Sequence, residues 1–437
     1  MGTHESKPMR RLRAALADHS FEETLWAFRH ALPEQARIYV AGCSGEPIAL
    51  ARFIEENPAW AAGVTFFGVW IPGVNSIDWA SLHKNARSES IFVTPATQGS
   101  FRNGRHTLRP LSYTQSVNWL RNTEVDGAIV MVSPETTSGQ HSLGVSADFS
   151  GLLLKREGVP VVGLINPAMP APRYGVSVAS ERLTFCTVSH ETLITVPPGQ
   201  LSKTFQSIGR KISTLIDDGD ALQFGLGTVQ QAVLESLSGH RNLRVHSGMV
   251  SDPIVRLLAS GAIANQRRAV TTGVAIGSST LYGTACTDDR FFFAPVQYTH
   301  AIKTLATTPQ FKAINSCISV DLFGQANAEF IGTRQISGTG GLCDFLRGAS
   351  ASDGGRGIIA LASTAKNGSI SRIVPRLDPN AVSVARGDVA TVVTEHGIAD
   401  LRHCSIEERA ERLISIADPA FRTDLASAWE GMRRLMG

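Results

Sequence analysis

The chain is punctuated by short apolar runs, each closed by glycine or proline and followed by a helical stretch. Ile38–Ala41 runs into Gly42-Cys43-Ser44-Gly45-Glu46-Pro47, then a helix from Ile48 to about Glu55. Ala221–Gly227 is followed in the same way by a helix over Thr228–Leu237. A strand, a small-residue turn and a helix make the unit of α/β folds. Asp126–Val132 is apolar without alternation, which fits a strand covered on both faces. The same pattern predicts strands over Val64–Val69, Ser90–Val93 and Val161–Ile165 in the first half. In the second half it predicts them over Leu243–His246, Ala269–Ile276, Phe291–Phe293, Ala313–Leu322, Gly357–Leu361 and part of 388–397. Helices are expected over residues 7–33, Phe205–Asp217 and Ile406–Trp429, the last interrupted by Pro419. The stretch 196–203, VPPGQLSK, reads as a linker. The expectation is two domains, residues 1–196 and 197–437.

Apolar residues make up 43% and charged residues 18% of the sequence, as in a soluble globular protein. The net charge of +3 is small, and Lys7, Arg10, Arg11 and Arg13 form only a short basic cluster, so nucleic acid is not an expected partner. Residues 15–23 carry Asp18, His19, Glu22 and Glu23 where a signal peptide would be apolar. No run of eighteen apolar residues occurs, so no membrane span is expected. Cys43, Cys186, Cys286, Cys317, Cys343 and Cys404 are scattered without metal-ligand spacing, and no HExxH is present. Free thiols, a cytoplasmic location and no metal are the expectations.

The densest candidate for chemistry is Asn315–Ser350. Within it, Ser337-Gly338-Thr339-Gly340-Gly341 removes side chains where a backbone turns tightly or approaches a ligand. Such a loop can aim N–H groups at an anion or a developing oxyanion, and it serves equally well as a plain turn. It is not a nucleotide fingerprint, since neither GxGxxG nor GK[ST] occurs. The longer segment resembles the acetyl-CoA hydrolase/transferase family. The resemblance rests on Asn315-Ser316-Cys317, Asp321-Leu322-Phe323-Gly324-Gln325, Glu329, Gln335–Gly341, Asp344-Phe345 and Arg347-Gly348-Ala349. It extends to the Glu46-Pro47 turn, His141–Asp148, Asn166–Pro170, 371–375 and the C-terminal helices, covering roughly residues 37–430. It implies two open α/β domains of the CoA-transferase type with the active site in the cleft between them. It also implies a coenzyme A thioester as substrate, no metal, and a homodimer.

Enzymes of this family work through a glutamate. Its carboxylate attacks the acyl-CoA to give an anhydride, then a glutamyl-CoA thioester, so that the thioester energy is kept. The family carries that glutamate in a His-Ser/Thr-Glu-Met segment. The matching residues here are His246-Ser247-Gly248-Met249, with glycine in place of the glutamate. Three readings follow. In the first, water, an amine or an alcohol attacks the thioester directly, with His246 or Ser247 as base or anchor. In the second, a displaced carboxylate such as Glu329 sustains transfer to a carboxylate acceptor. In the third, the protein binds CoA without turnover. The resemblance marks His246, Ser247, Gln325 and Glu329 as catalytic candidates. It marks Asn327, Gly338, Thr339, Gly340 and Gly341 as CoA-binding candidates. Glu46 reads as part of a structural turn, and Arg102, Arg105 and Arg109 as solvent-facing.

Overall fold

The computed structural model describes residues 19–196 and 199–436. The basic cluster from Lys7 to Arg13, the start of the helix expected over 7–33, and Pro197-Pro198 of the linker lie outside the described residues. The chain divides into two compact units, Met1–Val196 with Gly273–Gln297 and Pro197–Thr272 with Tyr298–Gly437. Both are α/β.

The first unit is built on β1 (Arg37–Val40), β2 (Thr65–Phe67), β3 (Arg87–Ser90), β4 (His106–Leu108), β5 (Gly127–Val132), β6 (Val161–Ile165) and β7 (Phe185–Val188). They form one sheet in the order β4-β3-β2-β1-β5-β6-β7, every neighbouring pair parallel. The order reverses at β1, and the C-terminal ends of strands at such a point are where open sheets hold ligands. β1 delivers the chain there into the Cys43–Gly45 turn and α2 (Ile48–Glu56), while α1 (Phe21–His30) precedes it. Leu25 and Phe28 of α1 pack with Ile38, Phe53, Trp60, Phe66 and Trp79 in one buried cluster. Each such side chain contributes about 2–3 kcal/mol on burial.

β3 corrects the sequence reading, which set this strand at Ser90–Val93. The paired residues are Arg87–Ser90, which are polar. The burial of Ser88 and Glu89 is made possible by specific partners: Ser88 Oγ lies 2.8 Å from His106 Nδ1, and Glu89 pairs with both Arg37 and Arg109. A hydropathy pattern does not register a strand whose polar side chains satisfy each other. Arg109 is thereby an ion-pair partner, and Arg105 donates to Ala80 O at 2.8 Å.

The second unit contains β8 (Ala221–Phe224), β9 (Arg244–Val250), β10 (Phe311–Ser316), β11 (Arg356–Ala360), β12 (Thr391–Thr394) and β13 (Gly397–Asp400). Their order is β9-β8-β10-β11-β12-β13. The β8–β9, β8–β10, β10–β11 and β11–β12 pairs are parallel, and β12–β13 is antiparallel. The run expected as one strand from Ala313 to Leu322 splits. β10 ends at Ser316, and Ser319–Asp321 joins a separate three-stranded sheet with Ala326–Asn327 and Ile373–Val374. β9 runs four residues past the expected end at His246, to Val250. The C-terminal helices Ile406–Ser415 and Arg422–Met436 close over Leu401, Leu413 and Trp429.

Candidate active site

Leu222 pairs with Val245, so β8 ends beside Ser247 and β9 continues beyond it. This places Gly248 just past the C-terminal edge of β8, where the second sheet reverses its order. Alternation along β9 puts His246 and Gly248 on one face and Ser247 on the other. Ser247 Oγ donates to Phe224 O at 2.7 Å. His246 Nε2 donates to Thr299 O at 3.1 Å, and its ring lies 5.7 Å from Tyr298 and 6.2 Å from Phe311. Burial pushes His246 down to about 4, so it is neutral near pH 7. Both candidates are thus engaged with backbone carbonyls.

The space in front of Gly248 belongs to His300, which the sequence reading did not single out. A Cβ added at Gly248 would lie 2.7 Å from His300 Cε1 and 2.9 Å from Nε2. A Cβ at Gly341 would lie 2.5 Å from the same Nε2. The imidazole therefore rests on the bare α-carbons of both glycines. The ring also packs on Phe345, with ring centroids 4.4 Å apart, and Nδ1 is 2.9 Å from Thr299 Oγ1. Burial, reinforced by His246, pushes His300 down to about 3, so it too is neutral. The seat is built by packing. Gly348, in the helix Leu342–Ala351, would carry a Cβ 2.5 Å from Leu305 Cβ, so only glycine lets that helix approach Ile302–Ala306. Leu305, Phe311, Phe345 and Ala349 then share one small buried cluster. A histidine just before a short helix carries no sequence signal for this. The signal, had it been weighed, was the pair of glycines that accommodate it.

The remaining candidates form a second group leading into the same loop. Gln325 Nε2 donates to Asp321 Oδ2 at 2.8 Å, while Asp321 also accepts from the backbone N–H groups of Phe323 and Gln325. Asn327 Oδ1 accepts from the N–H groups of Glu329 and Phe330 at 3.0 and 2.9 Å, fixing a turn. Gln335 Nε2 bridges Glu329 Oε1 at 3.1 Å and Ser337 O at 2.7 Å. This ties the half-buried Glu329 carboxylate to the residue that opens Gly338–Gly341. Gly340 has φ of +53°, a left-handed conformation that favours glycine, and Gly341 caps the helix Leu342–Ala351. Gln325 and Asn327 thus hydrogen-bond the backbone turns and the Asp321 carboxylate that lead into this loop. Replacing Asn327 by alanine removes both acceptor contacts and is expected to cost about 1–2 kcal/mol, read as a lower thermal midpoint.

Comparison with known proteins identifies the family. A model of the acetyl-CoA hydrolase/transferase C-terminal domain matches residues 277–429. The 4-hydroxybutyrate coenzyme A transferase of Clostridium kluyveri is 31% identical over 407 residues, spanning 91% of this chain and 95% of that protein. The chain belongs to the acetyl-CoA hydrolase/transferase family. The succinyl-CoA:cyclohexane-1-carboxylate CoA transferase of Geobacter metallireducens is 37% identical over 319 residues, 71% of this chain and 72% of that protein. The crystal structure of RipA from Yersinia pestis superposes with a TM-score of 0.88 at 27% identity, over 97% of this chain and 99% of that one. Membership implies an acyl-CoA-using enzyme with a CoA thioester as substrate. Among the described residues no cluster of three or more His, Cys, Asp or Glu is arranged to hold a metal, and no helix is long and apolar enough to cross a membrane.

Proposed function

We propose that this protein attacks the acyl-CoA thioester directly, hydrolysing it or passing the acyl group to a non-carboxylate acceptor, with no glutamyl-CoA intermediate. The observation that carries this reading is the neutral His300 imidazole packed on Gly248, in the space a glutamate side chain at that position would need. Glu329 is the carboxylate tied to the glycine loop, and in this reading it acts as the base. For hydrolysis, a water gives its proton to Glu329 as its oxygen bonds to the acyl carbon. The carbonyl oxygen becomes an oxyanion facing the N–H groups of Gly338–Gly341. The C–S bond then breaks, and the CoA thiolate takes the proton back from Glu329. Oxyanion donors of this kind are worth about 10²–10³ in rate, and a positioned base about 10²–10⁴. Gln325 and Asn327 support the loop, and His246 and Ser247 hold β9 in place. The acting form is proposed to be a homodimer in the cytoplasm.

A second reading rests on the same Glu329: as nucleophile it would form the anhydride itself and keep the protein a carboxylate CoA-transferase. Intact-protein mass spectrometry after incubation with an acyl-CoA panel, with borohydride trapping, separates the two. The expected result is free thiol released with no covalent CoA adduct, and that release lost in Glu329→Gln. An adduct mapping to Glu329 would establish the second reading instead. Absence of both adduct and turnover, with water, amines, alcohols and carboxylates each supplied as acceptor, would leave a protein that binds CoA without chemistry.

A further inference from the structure

The first unit contains a cavity of about 610 Å³ at the N-terminal ends of its strands, the opposite end of that sheet from the Cys43–Pro47 turn. Its charged lining is Arg37, Lys84, Arg87 and Arg105 against one carboxylate, Glu34. The placement follows from the fold. Arg37, Thr65 and Arg87 are the first residues of β1, β2 and β3, and they are paired side by side in register. Arg105 immediately precedes β4. Strands about 4.8 Å apart therefore present a row of cations around the Thr65 hydroxyl.

How these cations are held distinguishes the cavity from a merely solvated basic surface. Arg87 Nη1 donates to Gly104 O at 3.3 Å, and Arg105 Nη1 to Ala80 O at 2.8 Å. Arg37 Nε donates to Glu124 O at 3.2 Å. Backbone carbonyls orient a guanidinium without cancelling its charge. Only Arg37 also meets a carboxylate, Glu89 at 3.0 Å, and that carboxylate is shared with Arg109 outside the cavity lining. Planar guanidinium groups fixed in this way, with donors left over, match phosphate oxygens in pairs. The volume is that of a small-molecule site.

We infer that this cavity binds a phosphate-bearing small molecule of the nucleoside diphosphate class, at a site separate from the thioester chemistry. Arg37, Arg87, Arg105 and Lys84 would hold the phosphates, and Glu34 would accept a hydrogen bond from a sugar hydroxyl.

Calorimetry on the full chain tests this with ADP, inorganic pyrophosphate and CoA, using wild type, Arg87→Glu and Lys84→Glu. Both substituted residues are exposed, and an unchanged thermal midpoint shows that each variant is folded. The expected result is ADP binding that weakens about tenfold or more in each variant and falls with added salt, while CoA binding is unchanged. Pyrophosphate binding as tightly as ADP would identify the phosphates alone as the recognised group; weaker binding would add the nucleoside. The inference is overturned if neither ADP nor pyrophosphate binds at millimolar concentration, or if both bind the variants as they bind wild type. It is equally overturned if CoA affinity falls together with ADP affinity, which would assign the cavity to the CoA site. None of these outcomes depends on the reaction proposed for Gly248 and Glu329.

Discussion

Gly248→Glu is expected to destabilise the protein rather than give it the family's glutamyl chemistry. The backbone is no obstacle, since residue 248 sits within β9 and has no left-handed φ. The obstacle is His300, whose Cε1 would lie 2.7 Å from the new Cβ before any carboxylate is placed. Phe345, itself buried in the cluster with Leu305 and Phe311, packs on the imidazole and would bring its Cε2 to 3.7 Å from the same Cβ, so the new side chain meets two packed rings. Overpacking of this kind costs about 1–3 kcal/mol, and partial burial of a carboxylate adds to it, so a loss of about 3 kcal/mol is expected. For a domain of this size that lowers the thermal midpoint by about 2–4 °C per kcal/mol. His300→Ala alone opens a cavity and is also destabilising. The double variant Gly248→Glu/His300→Ala is expected to be more stable than the two single losses summed, by a coupling of about 1–3 kcal/mol. A glutamyl-CoA adduct, if any variant forms one, is expected only in the double variant. A single Gly248→Glu variant with a wild-type midpoint, or one that traps CoA covalently, would show that His300 does not occupy the carboxylate's place.

How much of this was legible beforehand depended on what kind of interaction fixed each element. β5, β6 and the strand Phe291–Phe293 lie where their apolar runs put them, because solvent exclusion is the whole of their specification. β3 was displaced by three residues because Ser88 and Glu89 are buried through partners far away in sequence, His106, Arg37 and Arg109. The same limit operates in the second unit. Gly248 was recognisable as a departure from the family's pattern, and Gly341 as part of a glycine-rich loop, but their shared neighbour was not. His300 is 52 positions from one and 41 from the other, and tertiary packing brings its ring against both. His246 and Ser247 were proposed from their place in the motif. Their side chains turned out to reach Thr299 O and Phe224 O, which no local pattern announces. Glu329 was read from a motif, and its connection to the glycine loop through Gln335 emerged only from the turn that Asn327 builds.

Glu46→Gln is expected to stabilise the first unit at pH 8 and to cost it about 1 kcal/mol at pH 4. Glu46 follows the turn after β1 and is 1% exposed. Its Oε2 accepts from Ser76 N at 3.4 Å, and the Asn75 side chain and the Ile77 N–H also favour the ionised carboxylate, whereas Oε1 is buried with no partner at ordinary hydrogen-bond distance. Burial, reinforced by the nearby Glu191 carboxylate, pushes Glu46 up to about 7. An unfolded glutamate titrates at about 4.3. Between these values the folded chain holds a proton that the unfolded chain has released, so unfolding becomes easier as pH rises. The favourable contribution is complete below about pH 4 and gone above about pH 7, and the span corresponds to roughly 4 kcal/mol. Asp148, pushed up to about 6 by burial, adds a loss of the same sign over a lower window. A glutamine carries no charge to desolvate and is nearly isosteric with the protonated acid. Its N–H₂ inherits the place of an oxygen that already lacks a partner, which returns about 1 kcal/mol of cost. A net gain of about 3 kcal/mol at pH 8 is therefore expected, with a flatter stability profile from pH 5 to pH 8 that keeps the Asp148 share. Urea unfolding followed by tryptophan fluorescence reads this in the right place, since Trp60, Trp70 and Trp79 are all fully buried in the first unit. A variant less stable than wild type at pH 8 would mean that Asn75, Ser76 and Ile77 hold the ionised carboxylate strongly enough to outweigh its burial, and that no proton resides on Glu46 at neutral pH.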